Sequence, residues 1–220
     1  MIRPTGSALL GITNVLGLGV VAVLLLRPGG PAGQWLGAWQ EGRRDARMLA
    51  QYWPTLIESG DRVVPGPQSP RLVEFMDYQC PVCRAQHAIL SRAGIDTVLV
   101  LHHFPLPYHP HSMNAAKAVI CAGRQSRLAE MHNRLLDHSK WQTDGDWDRE
   151  RRASGVQDSA SFHTCMADSL VQQQIDSDVA LGEKLQLVGT PTFFTKSERF
   201  SRLLTEPEVR RIVREPSSTD

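Results

Sequence analysis

Two cysteines, Cys80 and Cys83, bracket Pro81 and Val82 in a Cys-Pro-Val-Cys motif. Thiols at this spacing can cycle between dithiol and disulfide, hold half of a zinc site, or form an inert local bridge. A zinc site would want a second pair at similar spacing, whereas Cys121 and Cys165 are far apart in the chain. An inert bridge would need no particular surroundings. The surroundings here are particular. Arg71 to Asp77 (Arg-Leu-Val-Glu-Phe-Met-Asp) reads as a strand, and Cys83 to Arg92 has helical composition that stops near Gly94. That order places Cys80 at a helix N-terminus, where unpaired N–H groups and the positive end of the helix dipole favour a thiolate. Pro81 suits the first helical turn, where its missing N–H costs nothing. Cys83, a turn later, is placed to attack a mixed disulfide at Cys80. Redox exchange is the leading reading.

The elements that must hold this pair follow on both sides. Thr97 to Phe104 is a β-branched and apolar run, hence a second strand, and strand–helix–strand in so short a space implies a parallel pair with a right-handed crossover. From Ser112 to about Leu187 the spacing is helical, broken at Asp144-Gly145-Asp146-Trp147-Asp148. Gly189-Thr190-Pro191-Thr192-Phe193-Phe194-Thr195 returns to strand character, and its Thr-Pro step is a candidate cis bond. Thr205 can cap a last helix that carries Pro207 near its start.

The N-terminus carries a separate signal. No charged residue lies between Arg3 and Arg27, and residues 8–26 are apolar apart from Thr13 and Asn14. Such a stretch spans a bilayer core of about 30 Å at about 1.5 Å per residue. A cleaved signal peptide is the alternative, but Arg27-Pro28-Gly29-Gly30 is a poor cleavage site. A transmembrane anchor is therefore expected. Arg27, Arg43 and Arg44 behind the span favour a cytoplasmic domain on charge alone. A short tail before a long domain is the layout of a signal anchor, and the cysteine chemistry asks for an oxidising compartment, so the domain is assigned to the periplasmic or extracytoplasmic side. Gln34 to Ser59 follows with helical spacing of Trp35, Leu36, Trp39, Met48, Leu49, Tyr52, Trp53 and Leu56, and Pro65 to Pro70 is a turn cluster. With 24 basic and 23 acidic residues nearly cancelling, and no polybasic run, a nucleic-acid partner is excluded.

Val73-Glu74-Phe75-Met76-Asp77-Tyr78-Gln79-Cys80-Pro81-Val82-Cys83 resembles the active-site strand and loop of the thioredoxin superfamily, and within it of DsbA-like thiol oxidoreductases. Phe104-Pro105-Leu106 with His109-Pro110, then Asn114 to Ala118, resembles the entry to their inserted helical domain. Leu187 to Phe194 resembles their cis-proline strand. The resemblance implies an α/β thioredoxin fold with a helical insertion, preceded by the N-terminal transmembrane helix expected from residues 8–26. Its parts are a tail (1–7), the anchor (8–26), a linker and juxtamembrane helix (27–60), a first half (61–110), the helical insertion (111–186) and a second half (187–220). It further implies that Cys80 is the nucleophile and Cys83 its buried partner. Pro191 would be cis, the Thr190 backbone would pair with an extended substrate, and Glu74 would be a buried acid that moves protons at Cys83. A solvent-facing strand residue is the alternative for Glu74. The turn Lys196-Ser197-Glu198-Arg199 departs from the pattern, lacking an Asn-Gly pair.

Cys121 and Cys165 sit on apolar faces of two helices; in an oxidising compartment they would form a structural disulfide, and otherwise stay buried thiols. His102, His103, His109 and His111 fall close together, which makes a metal site conceivable. The expectation is nonetheless a monomeric enzyme without metal or cofactor that introduces disulfides into reduced exported proteins. A membrane quinone-linked thiol oxidase, DsbB-like or vitamin K epoxide reductase-like, would reoxidise it. A reductase or isomerase on the same fold, or a metal-binding chaperone, are the alternatives.

Overall fold

The computed structural model describes residues 30–63, 70–93 and 99–214. Residues 8–26, read above as the anchor, lie outside them, as does most of the turn cluster. Among the described residues no helix is long and apolar enough to cross a membrane. The chain divides into two units, Met1–Arg47 and Met48–Asp220. Helix α1 (Pro31–Glu58) runs through the boundary. In the first unit residues 31–47 are its helical opening, and the side chains of Trp35, Leu36 and Trp39 lie outside the description.

The second unit is built on a five-stranded sheet in the order β1-β3-β2-β4-β5, with β1 Asp61–Arg62, β2 Leu72–Met76, β3 Leu99–His103, β4 Thr192–Phe194 and β5 Arg199–Phe200. Every residue of β2 and β3 is buried, including Glu74, His102 and His103, as in central strands covered on both faces. They pair in parallel, Val73 opposite Val100 and Glu74 opposite Leu101, and helix α2 (Pro81–Ala93) makes the crossover. On the other side of β2, β4 runs antiparallel with Glu74 opposite Phe193, so Glu74 lies mid-sheet.

The hairpin from β4 to β5 closes without an Asn-Gly turn. Thr195 N donates to the Glu198 carbonyl at 2.9 Å, and Glu198 N donates back to Thr195 Oγ1 at 3.0 Å. A threonine side chain thus supplies the brace that the missing turn residues would have made.

Period-two alternation sends Val73 and Phe75 to one face, where they pack with Leu49, Leu56, Leu181, Leu185 and Phe194. Leu72 and Met76 go to the other face, into the larger core that holds both Cys80 and Cys83. That core is roofed by helices α3 (Ser112–Gly123), α4 (Leu128–Asp137), α5 (Trp141–Asp144), α6 (Trp147–Ala153) and α7 (Ser159–Ala167), and α8 (Ser169–Lys184) leads back to the sheet. Aspartates start the later helices: the side chains of Asp146, Asp158 and Asp168 accept from Arg149 N, Ser161 N and Leu170 N. Cys121 on α3 and Cys165 on α7 are joined by a disulfide with their Cα atoms 5.7 Å apart. The last helix, α9 (Glu206–Arg214), opens with Thr205 N and Thr205 Oγ1 both donating to the Glu208 carboxylate, at 2.8 and 2.7 Å.

Candidate active site

Strand β2 ends at Met76, and the chain turns at once into α2 around Asp77. The Asp77 carboxylate is fully buried and accepts from Gln79 N at 2.7 Å, Leu106 N at 2.8 Å and His109 Nδ1 at 2.7 Å. One side chain thereby locks the Cys-Pro-Val-Cys loop to the loop after β3. Cys80 N donates to the Asp77 carbonyl at 3.1 Å, and Arg84 N donates to the Cys80 carbonyl at 3.1 Å, so Cys80 stands just ahead of Pro81, the first residue of α2.

From across the site comes the segment before β4. The Thr190–Pro191 bond is cis, and the Thr190 carbonyl oxygen lies 3.4 Å from Cys80 Sγ. Thr192 Oγ1 braces this bend by donating to the Gly189 carbonyl at 2.8 Å. The structure therefore brings together Cys80, Cys83, Thr190 and Pro191, residues far apart in the chain.

The two thiols have opposite tempers. The Cys80 thiol is drawn down to about 5, chiefly by the hydrogen bond it receives from the Cys83 thiol, with the backbone N–H groups of Cys83 and Val82 assisting against the cost of burial. Cys83 is pushed well above the usual thiol range by burial first, then by its bond to Cys80 and the charges of Glu74 and Cys80. Glu74 is 2% exposed. Burial, with the Cys80 charge behind it, raises its carboxyl to about 8. At neutral pH the arrangement is a Cys80 thiolate, a Cys83 thiol and a mostly protonated Glu74. It can perform nucleophilic attack at an outer sulfur and proton exchange at an inner one.

The four clustered histidines point apart instead of converging. His102 bonds Asp178 and the Leu56 carbonyl, at 2.6 and 2.9 Å. His103 meets Asp61 at 3.0 Å, and His109 serves Asp77. Among the described residues no group of three or more His, Cys, Asp or Glu is placed to hold a metal.

A family profile described as thioredoxin matches residues 59–215. The chain belongs to this thioredoxin family. Its fold is shared with a thioredoxin-like oxidoreductase from Silicibacter pomeroyi DSS-3 at TM-score 0.59 and 26% identity, over 70% of this chain and 91% of that one. The thiol-disulfide exchange protein alpha-DsbA2 from Wolbachia pipientis superposes at TM-score 0.66 and 19% identity, over 79% of this chain and 96% of that one. Among curated proteins, the Na(+)/H(+) antiporter NhaA 1 of Mycobacterium sp. (strain KMS) is 36% identical over 149 residues, which are 63% of this chain and 24% of that protein. The chain thus spans about a quarter of the length of the curated relatives it matches.

Sequence reasoning did not single out several polar residues around the thioredoxin-family site. In sequence Asp77 shows only as a strand end within the stretch that resembles the active-site loop, and Tyr78, His87, Asp61 and His132 take no role from their positions. His132 did leave a sign: it falls beside Met131 and before Leu135 and Leu136, inside the apolar stripe of α4, where an imidazole needs a partner.

Proposed function

We propose that this chain is a thiol–disulfide oxidoreductase that introduces disulfides into exported proteins. The observation that carries the reading is the opposed acidity of Cys80 and Cys83, at the start of α2 and facing the Thr190–Pro191 bend. In the oxidised enzyme a substrate thiolate attacks Cys80 Sγ. The Cys80–Cys83 bond breaks, and its electron pair leaves on Cys83, which takes a proton from Glu74. A second substrate thiolate then attacks the substrate sulfur of the mixed disulfide. The substrate leaves as a disulfide and Cys80 leaves as a thiolate. Stabilising that thiolate stabilises the reduced enzyme and makes its disulfide oxidising. Thr190 and Pro191 offer backbone against which an extended substrate segment can lie.

The same reading places the domain outside the cytoplasm, behind an anchor at residues 8–26, as a monomer that a membrane quinone-linked thiol oxidase recharges. The Cys121–Cys165 bridge suits an oxidising compartment. The shared region in sodium–proton antiporters suits a domain that works beside a membrane. The test is the redox equilibrium of Cys80–Cys83 against glutathione. A potential between about −120 and −200 mV is expected, with the Cys83→Ala variant trapping glutathione on Cys80. A value near −270 mV would assign a reductase instead.

A further inference from the structure

Behind Cys83 a seam of polar rings crosses the larger core. Tyr78, His103, His132 and His87 are 1%, 0%, 2% and 6% exposed, and so many polar rings in a core are costly unless paired or used. The Tyr78 hydroxyl lies 3.0 Å from His132 Nδ1. The His132 and His87 rings meet edge to face at 5.2 Å. His87 Nε2 lies 3.6 Å from Asp137, whose side chain is 62% exposed, and 3.4 Å from Ser91 Oγ. At the inner end Tyr78 stands two residues before Cys80 and packs in the same core as Cys80 and Cys83, close enough for the charges of Asp61, Glu74 and Cys83 to act on its hydroxyl. The seam thus starts beside the redox pair and ends at solvent.

The exchange chemistry creates a need at the inner end. When Glu74 gives its proton to the departing Cys83 thiolate, it is left as a carboxylate in the middle of a sheet, with no direct access to water. We propose that Tyr78, His132 and His87 relay a proton from solvent at Asp137 back to Glu74. Tyr78 passes its hydroxyl proton inward as it accepts one from His132 Nδ1, and His132 is recharged at its other nitrogen from His87. The steps from Tyr78 to Glu74 and from His87 to His132, whose rings meet edge to face, each need a bridging water or a small ring movement to bring donor and acceptor together. No electrons move along the seam. Each ring keeps its number of protons, and His132, left with its proton on the other nitrogen, is restored when the path runs in reverse as reoxidation releases the Cys83 proton.

Charge around the seam suits the task. Burial, then the charges of His87 and His103, hold His132 far below the usual imidazole range, so it stays neutral and can both accept and give a proton. The groups facing Tyr78 are Asp61 on β1, Glu74 on β2, Cys83 on α2, His103 on β3 and His132 on α4, with His87 on α2 reached through His132. His103 is paired to Asp61 through Nε2 and stacks on Tyr78 at 6.0 Å, which makes it a flank of the path.

This inference rests on the oxidoreductase reading, and the test separates the two. The full chain is measured as wild type, Tyr78→Phe and His132→Gln, the last keeping an amide beside Tyr78 that cannot relay. The first measurement is equilibrium with glutathione. Wild type that fails to exchange ends both readings at once. The second is the rate of disulfide reduction by dithiothreitol across pH, in light and heavy water. A relay changes rates and leaves end states alone. The variants should therefore react on the order of 100-fold more slowly at neutral pH, the low end of what a positioned proton donor contributes. They should show a larger solvent isotope effect and keep the wild-type glutathione equilibrium within about twofold. Folded variants that react within about twofold of wild type would overturn the relay while leaving the oxidoreductase intact. So would variants whose equilibrium shifts along with their rate, since that marks a static electrostatic role. If Tyr78→Phe does not fold, His132→Gln decides by the same two readouts.

Discussion

Glu74 shows how one buried side chain ties stability to chemistry. Its carboxyl, near 4.5 when unfolded, rises to about 8 in the fold because burial disfavours the charged form. Between those values the folded state holds a proton that the unfolded chain has lost. Its contribution therefore falls as pH rises, intact near pH 4 and gone above about pH 8. Glu74→Gln, which cannot ionise, should match wild type in urea unfolding at pH 5 and exceed it by roughly 2–4 kcal/mol at pH 9, both in the reduced state. A difference that is the same at both pH values would mean that the carboxyl does not titrate in this window. The same variant should slow reduction of the Cys80–Cys83 disulfide, because the proton donor to Cys83 is gone.

At the scale of elements, the helical roof is held by the bond between α3 and α7. Cys121 and Cys165 enclose a sequence separation of 44, and closing a loop of that size removes entropy from the unfolded chain worth about 4 kcal/mol in the chain-entropy account. Replacing both with alanine should lower urea-unfolding stability by about 2–4 kcal/mol and leave the glutathione equilibrium of Cys80–Cys83 unchanged, since neither bridge residue is among the groups that shift the two thiols. The strand–motif–helix run from Leu72 to Arg92 was legible because a long apolar strand and a cysteine motif each leave strong local signals. Strands β1 and β5 were not, for two residues carry no period and exist only through pairing, Asp61 opposite Leu101 and Phe193 opposite Phe200. The spatial separation of the histidines has a related cause. His102 and His103 are adjacent in a strand and so point to opposite faces, which separates ligands that look clustered in sequence. Tyr78, His132 and His87 come from a loop and two helices, and only the folded core brings them into one line.

For the whole molecule, the proposed function asks where a protein substrate would land, and the distribution of exposed apolar groups offers a place. Among the described residues the exposed large hydrophobics are Val82, Tyr108, Leu170, Val188 and Leu203. Two of these, Val82 between the cysteines and Val188 two residues before Thr190, lie in the segments that flank Cys80, and Val188 is 89% exposed. Apolar side chains left in water around a reactive sulfur favour unfolded polypeptide over small hydrophilic thiols. Each buried valine contributes about 1.5 kcal/mol or more. Replacing Val82 and Val188 together with serine should therefore cut kcat/KM for a reduced, unfolded protein on the order of 100-fold. The glutathione equilibrium and the rate with dithiothreitol should hold near wild type, because neither small thiol needs that surface. Equal loss toward all three reagents would instead place the valines in support of the Cys80 loop, and substrate recognition would have to come from the Thr190 backbone alone.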